Sequence, residues 1–415
     1  MKTISLAGDK SISHRLLLLS ALSSGTSVLE NLNTGEDVLS TLNCLKQLGV
    51  NIEQHAGKTT VYGIGKIWKA STNPLDCGNS GTTLRLLTAI LAAMPFESIL
   101  TGDASILTRP MKRLQTPLQK MGAQIFLQNE NFAPVNIKGK KLKDIEYSLS
   151  VASGQIKSAL MFAALVAKTK IKLTGSLQGR DHGERLFPHF GIPVVTNTQT
   201  IEMDGDFEVQ SQNFFVAGDI SSSAFLLAAT ALFPNTQLKI EKVGLNPTRT
   251  GFLSVLKKMG CDIHIKIECE TPEPWGSIEI KSPHELQAIT ITPQEIPSLI
   301  DEIPLVALLG IFAKGETHVS GAKELRVKES DRLHHICFNF KKLGIDIEER
   351  EDGFKIYGIK KWERQEVILP SDHRLIMMFK ILEMKLGYKI SKESQEFRIS
   401  YPAFEKDMAS LFLNS

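Results

Sequence analysis

The sequence predicts an α/β protein of two domains, made from six copies of a β-α-β-α-β-β unit with three copies to a domain. Three observations carry that expectation. A helix-end phrase recurs along the chain, a strongly apolar helix alternates with it, and a short β-branched strand follows each.

The first phrase is an amphipathic helix end, a glycine, then a strand. It reads LKQLGVNI (Leu45–Ile52), LQKMGAQI (Leu118–Ile125), FPHFGIPV (Phe187–Val194), LKKMGCDI (Leu256–Ile263) and FKKLGIDI (Phe340–Ile347). Each glycine stands where the residue after a helix takes a positive φ. The copies lie about seventy residues apart, too long for a simple solenoid, with a wider gap before Gly344.

The second phrase is a polar helix start, an apolar helix, then a strand and a turn. Its copies begin near Lys10, Asn79, Ala152, Asp219, Leu299 and Ser371, and their helices read RLLLLSAL, LRLLTAIL, SALMFAALVA, AFLLAATAL, PLVALLGIFA and RLIMMFKIL. Helices this apolar have no solvent face, so they belong inside a layer of strands. Strands are expected at Ser27–Leu32, Ser98–Gly102, Ile171–Gly175 and Thr317–Gly321, with a domain boundary near Val216–Gly218. Symmetric packing of three units would bring their helix N-termini out on one face of each domain.

Composition narrows the function. The chain has 415 residues, 42% hydrophobic and 22% charged, which is enough to build a sizeable core. A net charge of +3 gives no general affinity for nucleic acid, so any anion binding must come from local clusters. The five cysteines (Cys44, Cys77, Cys261, Cys269 and Cys337) are scattered and show no disulfide or zinc spacing. No metal site and no cofactor motif is read. Leu16–Leu22 is too short to span a membrane and the N-terminus has no signal-peptide pattern, so a cytoplasmic setting is expected.

The helix starts carry the chemistry. Ser11 and Ser13 are positioned to cap the first, beside Lys10 and Arg15, where the helix dipole already favours an anion. At the second, Asn79 and Ser80 can cap and Gly81 allows close approach to the backbone. Arg109, held extended by Pro110, follows it. The third places Ser153, Gln155 and Lys157 in its first turn, and Lys157 there needs an anion or full exposure. RDHGER (Arg180–Arg185) comes next, polar and dense. The fourth start has three serines and no cation, and reads as structural. The fifth sets Asp301 and Glu302 at the mouth of an apolar helix, as caps or, for Asp301, as a general base. KELRVKESDRL (Lys323–Leu333) then gathers Arg326, Lys328 and Arg332 around Glu329 and Asp331, and the sixth start carries Asp372, His373 and Arg374. Cations at most of six equivalent starts, in a chain of net charge only +3, favour an anion-binding function.

The motifs GDKSISHR, GNSGTTLR, GDASILTRPM, ASGQIKSA, LIDEIP, LRVKESDR and SDHR, in this order, resemble those of the 5-enolpyruvylshikimate-3-phosphate synthases, from Lys2 to about Phe404. The resemblance implies the inside-out α/β barrel fold of the enolpyruvyl transferases. One domain would run from 8 to 216, and residues 217–415 would form the second, completed by the N-terminal strand of residues 1–7. It implies transfer of the enolpyruvyl group of phosphoenolpyruvate to the 5-hydroxyl of shikimate 3-phosphate with release of phosphate and no cofactor, in a monomer that glyphosate would inhibit. By resemblance, shikimate 3-phosphate would meet Lys10, Ser11, Arg15, Ser153, Gln155, Asp301 and Lys328. Phosphoenolpyruvate would meet Lys10, Gly81, Arg109, Gln155, Arg332 and Arg374. Asp301 would be the base, and Glu329, with Lys10 as rival, would handle the proton on the methylene carbon. Asn79 and Arg85 would order the site.

Some positions depart from the pattern of certain members. Gly154 and Gly179 stand where those have phosphate-binding serines, with Arg180 or His182 as possible substitutes. Glu324 stands at an Asn, Ile399 at a phosphoenolpyruvate-binding Lys, and Leu86 at a Pro tied to glyphosate response. The sister transferase acting on UDP-N-acetylglucosamine uses a loop cysteine where this chain has Ala104. A non-catalytic anion- or RNA-binding protein on the same repeat would leave the placement of Asp301 and Glu329 unexplained.

Overall fold

In the computed structural model the described residues are 1–359 and 362–412. Among them, five four-stranded sheets share one strand plan. In one of them Leu75–Asp76 leads into the helix Gly81–Leu91, and the strand after it, Glu97–Thr101, pairs parallel to Leu75–Asp76. Phe132–Lys138 and Gln124–Gln128 then add antiparallel. The parallel pair needs a crossover, which the apolar helix supplies, and the antiparallel pair needs only a turn.

The chain divides into two compact units, one of Gly8–Val216 with Thr271–Glu273, the other of Met1–Ala7, Ala217–Glu270 and Pro274–Ser415. In the second, Lys2–Ser5 pairs parallel to Gln237–Gly244 and so completes a sheet whose other strands come from beyond residue 217. In the first, Phe214–Phe215 pairs parallel to Thr26–Glu30.

Six core helices follow the polar starts: Lys10–Leu22, Gly81–Leu91, Gly154–Ala167, Ile220–Leu232, Ile303–Phe312 and His373–Leu386. Within each unit the core helices pack against one another while the sheets alternate buried and exposed residues. Leu16, Leu17, Leu18 and Leu19 are all fully buried, so their helix presents no polar face along this stretch. Removing one such leucine side chain to alanine costs about 2–5 kcal/mol. The helices are inside and the sheets outside, as the all-round apolar sequences require.

The helix-end glycines Gly49, Gly122, Gly191, Gly260 and Gly344 have φ of +94°, +99°, +84°, +100° and +78°. That is the left-handed region where a Cβ is strained, which is why the phrase repeats with glycine.

The sixth copy differs from the other five. Its core helix is followed by the 3₁₀ turn Glu396–Ile399 and the helix Phe404–Phe412, and no strand follows it among the described residues. After Gly387 closes the helix with φ +76°, the segment KISKESQEF lacks the apolar–polar alternation that would give a half-buried strand. No helix among the described residues is long and apolar enough to cross a membrane.

Candidate active site

The starts of the core helices are built by local capping, though not always by the residues the sequence suggested. Asp9, not Ser11 or Ser13, caps the first helix, accepting from Ile12 N at 2.9 Å. The helix begins at Lys10, which places both serines inside it: Ser13 Oγ accepts from Asn33 N at 3.0 Å and Ser11 Oγ accepts from Arg180 at 3.3 Å. Ser80, Ser153, Asp219 and Asp372 cap the second, third, fourth and sixth helices. The fifth has no side-chain cap. Asp301 and Glu302 lie in a 3₁₀ turn, Ile300–Glu302, so these carboxylates are left for the cations around them.

In the 8–216 unit the predicted residues are held in small hydrogen-bonded groups. Lys10 Nζ is 2.7 Å from Asp37 Oδ2. Arg15 is buried and donates to three neutral oxygens: Ser158 Oγ at 3.0 Å, Ser11 O at 2.8 Å and Gly154 O at 3.1 Å. Burial lowers its pKa to about 10, with Arg180 acting the same way and Glu184 opposing. Gln155 accepts from Arg85 at 2.9 Å and donates to Thr82 Oγ1 at 2.8 Å. Arg109 has the extended backbone expected before proline, at φ −83° and ψ 132°, and donates to Asn79 Oδ1 at 2.8 Å and Ser105 Oγ at 3.2 Å. Gly81 lies between these arginines. A Cβ there would stand 2.7 Å from Arg85 and 2.9 Å from Arg109, so any side chain at 81 displaces both guanidinium groups.

The two departures at glycine are parts of one packing arrangement. A Cβ on Gly154 would meet Arg180 O at 2.8 Å, and one on Gly179 would meet Gly154 N at 2.9 Å. The turn carrying Gly179 and Arg180 therefore lies directly on the third helix start, where a serine at either position would not fit without movement. His182 is buried and directed at Glu273, 2.7 Å away, so Arg180 and not His182 stands beside Ser11.

In the 217–415 unit, Asp301 is shared among three cations. Its Oδ1 is 3.5 Å from Arg332 and 3.9 Å from Lys328, and its Oδ2 is 3.5 Å from Arg374. Arg332, whose side chain is 1% exposed, also meets Asp372 at 2.8 Å and Glu329 at 2.6 Å. Burial works against its charge, but Asp372, Glu329 and Asp301 outweigh that and raise its pKa. Glu302 is buried, which raises its pKa, while Arg374 pulls the other way. Ile399, buried in its 3₁₀ turn, offers no cation.

Several partners escaped sequence reasoning. Arg249 donates to Ser221 Oγ at 2.7 Å and lies 3.4 Å from Asp219, so the fourth start does hold a cation, brought from thirty residues downstream. Asp37 and Glu184 carry no local sign of their pairings, because Lys10 and Lys157 each lie 27 positions away. Asp372 stands out in the sequence as a helix-start residue, but its pairing with Arg332 spans forty positions. Among the described residues no group of three or more His, Cys, Asp or Glu side chains is placed to hold a metal.

Fold and sites together define an α/β protein of repeated units whose helix starts gather arginines and lysines, with carboxylates held among the cations of one unit. A sequence profile of EPSP synthase (3-phosphoshikimate 1-carboxyvinyltransferase) matches residues 1–408, and the chain belongs to this family. The 3-phosphoshikimate 1-carboxyvinyltransferase of Limosilactobacillus fermentum is 43% identical over 414 residues, covering 98% of this chain and 96% of the relative. The Bacillus cytotoxicus protein of the same name is 42% identical over 413 residues, covering 99% and 97%. A solved structure of EPSP synthase from Acinetobacter baumannii superimposes with a TM-score of 0.84 at 36% identity, covering 98% of this chain and 94% of that one.

Proposed function

We propose that the chain transfers the enolpyruvyl group of phosphoenolpyruvate to the 5-hydroxyl of shikimate 3-phosphate, releasing phosphate. The arrangement around Asp301, one carboxylate shared by Lys328, Arg332 and Arg374, carries this reading most strongly. A carboxylate so placed is held in a fixed orientation toward an incoming hydroxyl, and the cations around it attract an anionic substrate.

In the 8–216 unit, Lys10, Ser11, Arg15, Ser153 and Gln155 bind shikimate 3-phosphate, and Arg180 supplies the phosphate contact that serines at 154 and 179 would otherwise give. Arg109 and the backbone at Gly81 bind phosphoenolpyruvate, with Lys10 and Gln155 reaching both ligands. In the 217–415 unit, Arg332 and Arg374 bind phosphoenolpyruvate and Lys328 the ring hydroxyls. Asp301 removes the proton from the attacking 5-hydroxyl. The oxygen adds to C2 of phosphoenolpyruvate as Glu329, or Lys10, protonates the methylene carbon. The same residue then takes a proton from the resulting methyl group as phosphate is expelled, which regenerates the double bond. Charge clusters fixed before substrate arrives need no reorganisation when charge shifts, which is where such sites gain rate.

Glyphosate binding at the phosphoenolpyruvate position, a monomeric state and a cytoplasmic setting belong to the same reading. The direct test is phosphate release assayed with each substrate alone and with both. Release that requires both supports the assignment, whereas intact binding of shikimate 3-phosphate without any release would refute it.

A further inference from the structure

Lys157 is a lysine in an unfavourable place. It lies in the first turn of the Gly154–Ala167 helix, where the dipole opposes a cation, and its side chain is 1% exposed. A buried ammonium persists only when its donors are satisfied. Its Nζ donates to Glu184 Oε1 at 2.6 Å, Leu177 O at 3.0 Å and Gly179 O at 3.1 Å, which uses all three N–H groups. Glu184 sits in the first turn of the helix His182–His189, where the dipole favours its charge. Its second oxygen is buried with no hydrogen-bond partner, so the pair is held by position as much as by number of bonds.

Two of those three bonds end on carbonyls of one irregular turn, two residues apart. Lys157 thereby fastens the Leu177–Arg180 turn onto the third helix start. The fastening brings Gly179 within packing distance of Gly154 N, and the residue after it, Arg180, to 3.3 Å from Ser11 Oγ. Gly154 in turn offers its carbonyl to Arg15.

We propose that Lys157 is a positioning residue for phosphate recognition: it pins the Leu177–Arg180 turn so that Arg180 stands beside Ser11 and Arg15. Lys157 itself reaches no ligand. The inference rests on the functional reading above, which places the phosphate of shikimate 3-phosphate at this corner.

Two variants test it by different routes. Lys157→Met combined with Glu184→Gln removes both buried charges and frees the two carbonyls without stranding a lone ion. Gly179→Ala leaves the ion pair untouched and pushes the turn away from Gly154 N. Affinities for shikimate 3-phosphate and for shikimate, the same ring without phosphate, are measured by calorimetry, along with the KM for phosphoenolpyruvate. Both variants are expected to lose about tenfold or more in affinity for shikimate 3-phosphate, the effect of misplacing one charged hydrogen bond. Shikimate affinity and the KM for phosphoenolpyruvate are expected to stay within about twofold. A folded variant that keeps the wild-type preference for the phosphorylated ligand overturns the proposal. Equal losses for both ligands also overturn it, since they mark general damage. If the double variant does not fold, Gly179→Ala decides alone. Phosphate release by the wild-type protein with both substrates is run alongside, so failure of the functional reading is seen separately.

Discussion

Arg15 and Arg332 are both buried arginines near a helix start, and their surroundings are opposites. Arg15, in the 8–216 unit, donates only to neutral oxygens, and burial drags its pKa down to about 10. Arg332, in the 217–415 unit, is enclosed by Asp372, Glu329 and Asp301, which raise its pKa despite burial. An arginine without a carboxylate partner is under-compensated until an anion arrives. An arginine wrapped in carboxylates is already stable, and besides its proposed contact with phosphoenolpyruvate it fixes the position of those carboxylates. On the proposed reading the first kind of cluster binds shikimate 3-phosphate, and the second orients phosphoenolpyruvate and handles protons.

The largest expected effect lies with Asp301. Replacement by alanine should lower kcat by roughly 10²–10⁴-fold, the range for loss of a general base, with much smaller changes in substrate affinity. Steady-state kinetics with each substrate varied would show this, and an unchanged kcat would remove Asp301 from that role.

Next come the two arginines. Arg332→Met removes the buried guanidinium that bonds Asp372 and Glu329 and should destabilise its unit by about 3–5 kcal/mol, besides weakening phosphoenolpyruvate binding. Arg15→Met strands no carboxylate hydrogen-bonded to it, so chemical denaturation of the ligand-free protein should barely change, while affinity for shikimate 3-phosphate falls about tenfold or more. Equal denaturation midpoints for the two variants would break the comparison.

The smallest effects are in pH dependence, and their signs differ. His14 is held well below its ordinary 6.5 by burial, then by Lys10 and Arg15. The unfolded chain therefore binds the proton more readily, and this contribution to stability, full above pH 6.5, is lost as pH falls below it. Glu302 is raised above its ordinary 4.5, so its contribution is full below pH 4.5 and is lost as pH rises toward the raised folded value. Thermal melts across this range should show His14→Asn flattening the acid-side loss and Glu302→Gln flattening the opposite trend. Parallel slopes for both variants and the wild type would contradict the burial assigned to these groups.

The sequence made the fold legible where geometry forces residue type locally. Glycines with φ near +90° and helices apolar on every face announce themselves without knowledge of the tertiary structure. Capping was less legible: Asp9, Ser11 and Ser13 are all good caps on paper, and only the path of the chain into the helix selects Asp9. The cations that populate the site could be found because they cluster in short motifs. Their partners could not, since Asp37, Glu184, Asp372 and Arg249 reach their ion pairs across 27 to 40 positions. The sixth repeat shows the converse. Its helix start was readable, whereas the lack of a following sheet depends on a polar segment, KISKESQEF, whose helical neighbours gave no warning.

The division between binding and proton handling is tested most directly by titrating shikimate 3-phosphate into Arg15→Met and Asp301→Asn side by side, with phosphate release measured on the same samples. Asp301→Asn is expected to bind with nearly wild-type affinity and release almost no phosphate, while Arg15→Met is expected to bind poorly and turn over when saturated. Asp301→Asn turning over like the wild type, or losing binding as Arg15→Met does, would contradict the account.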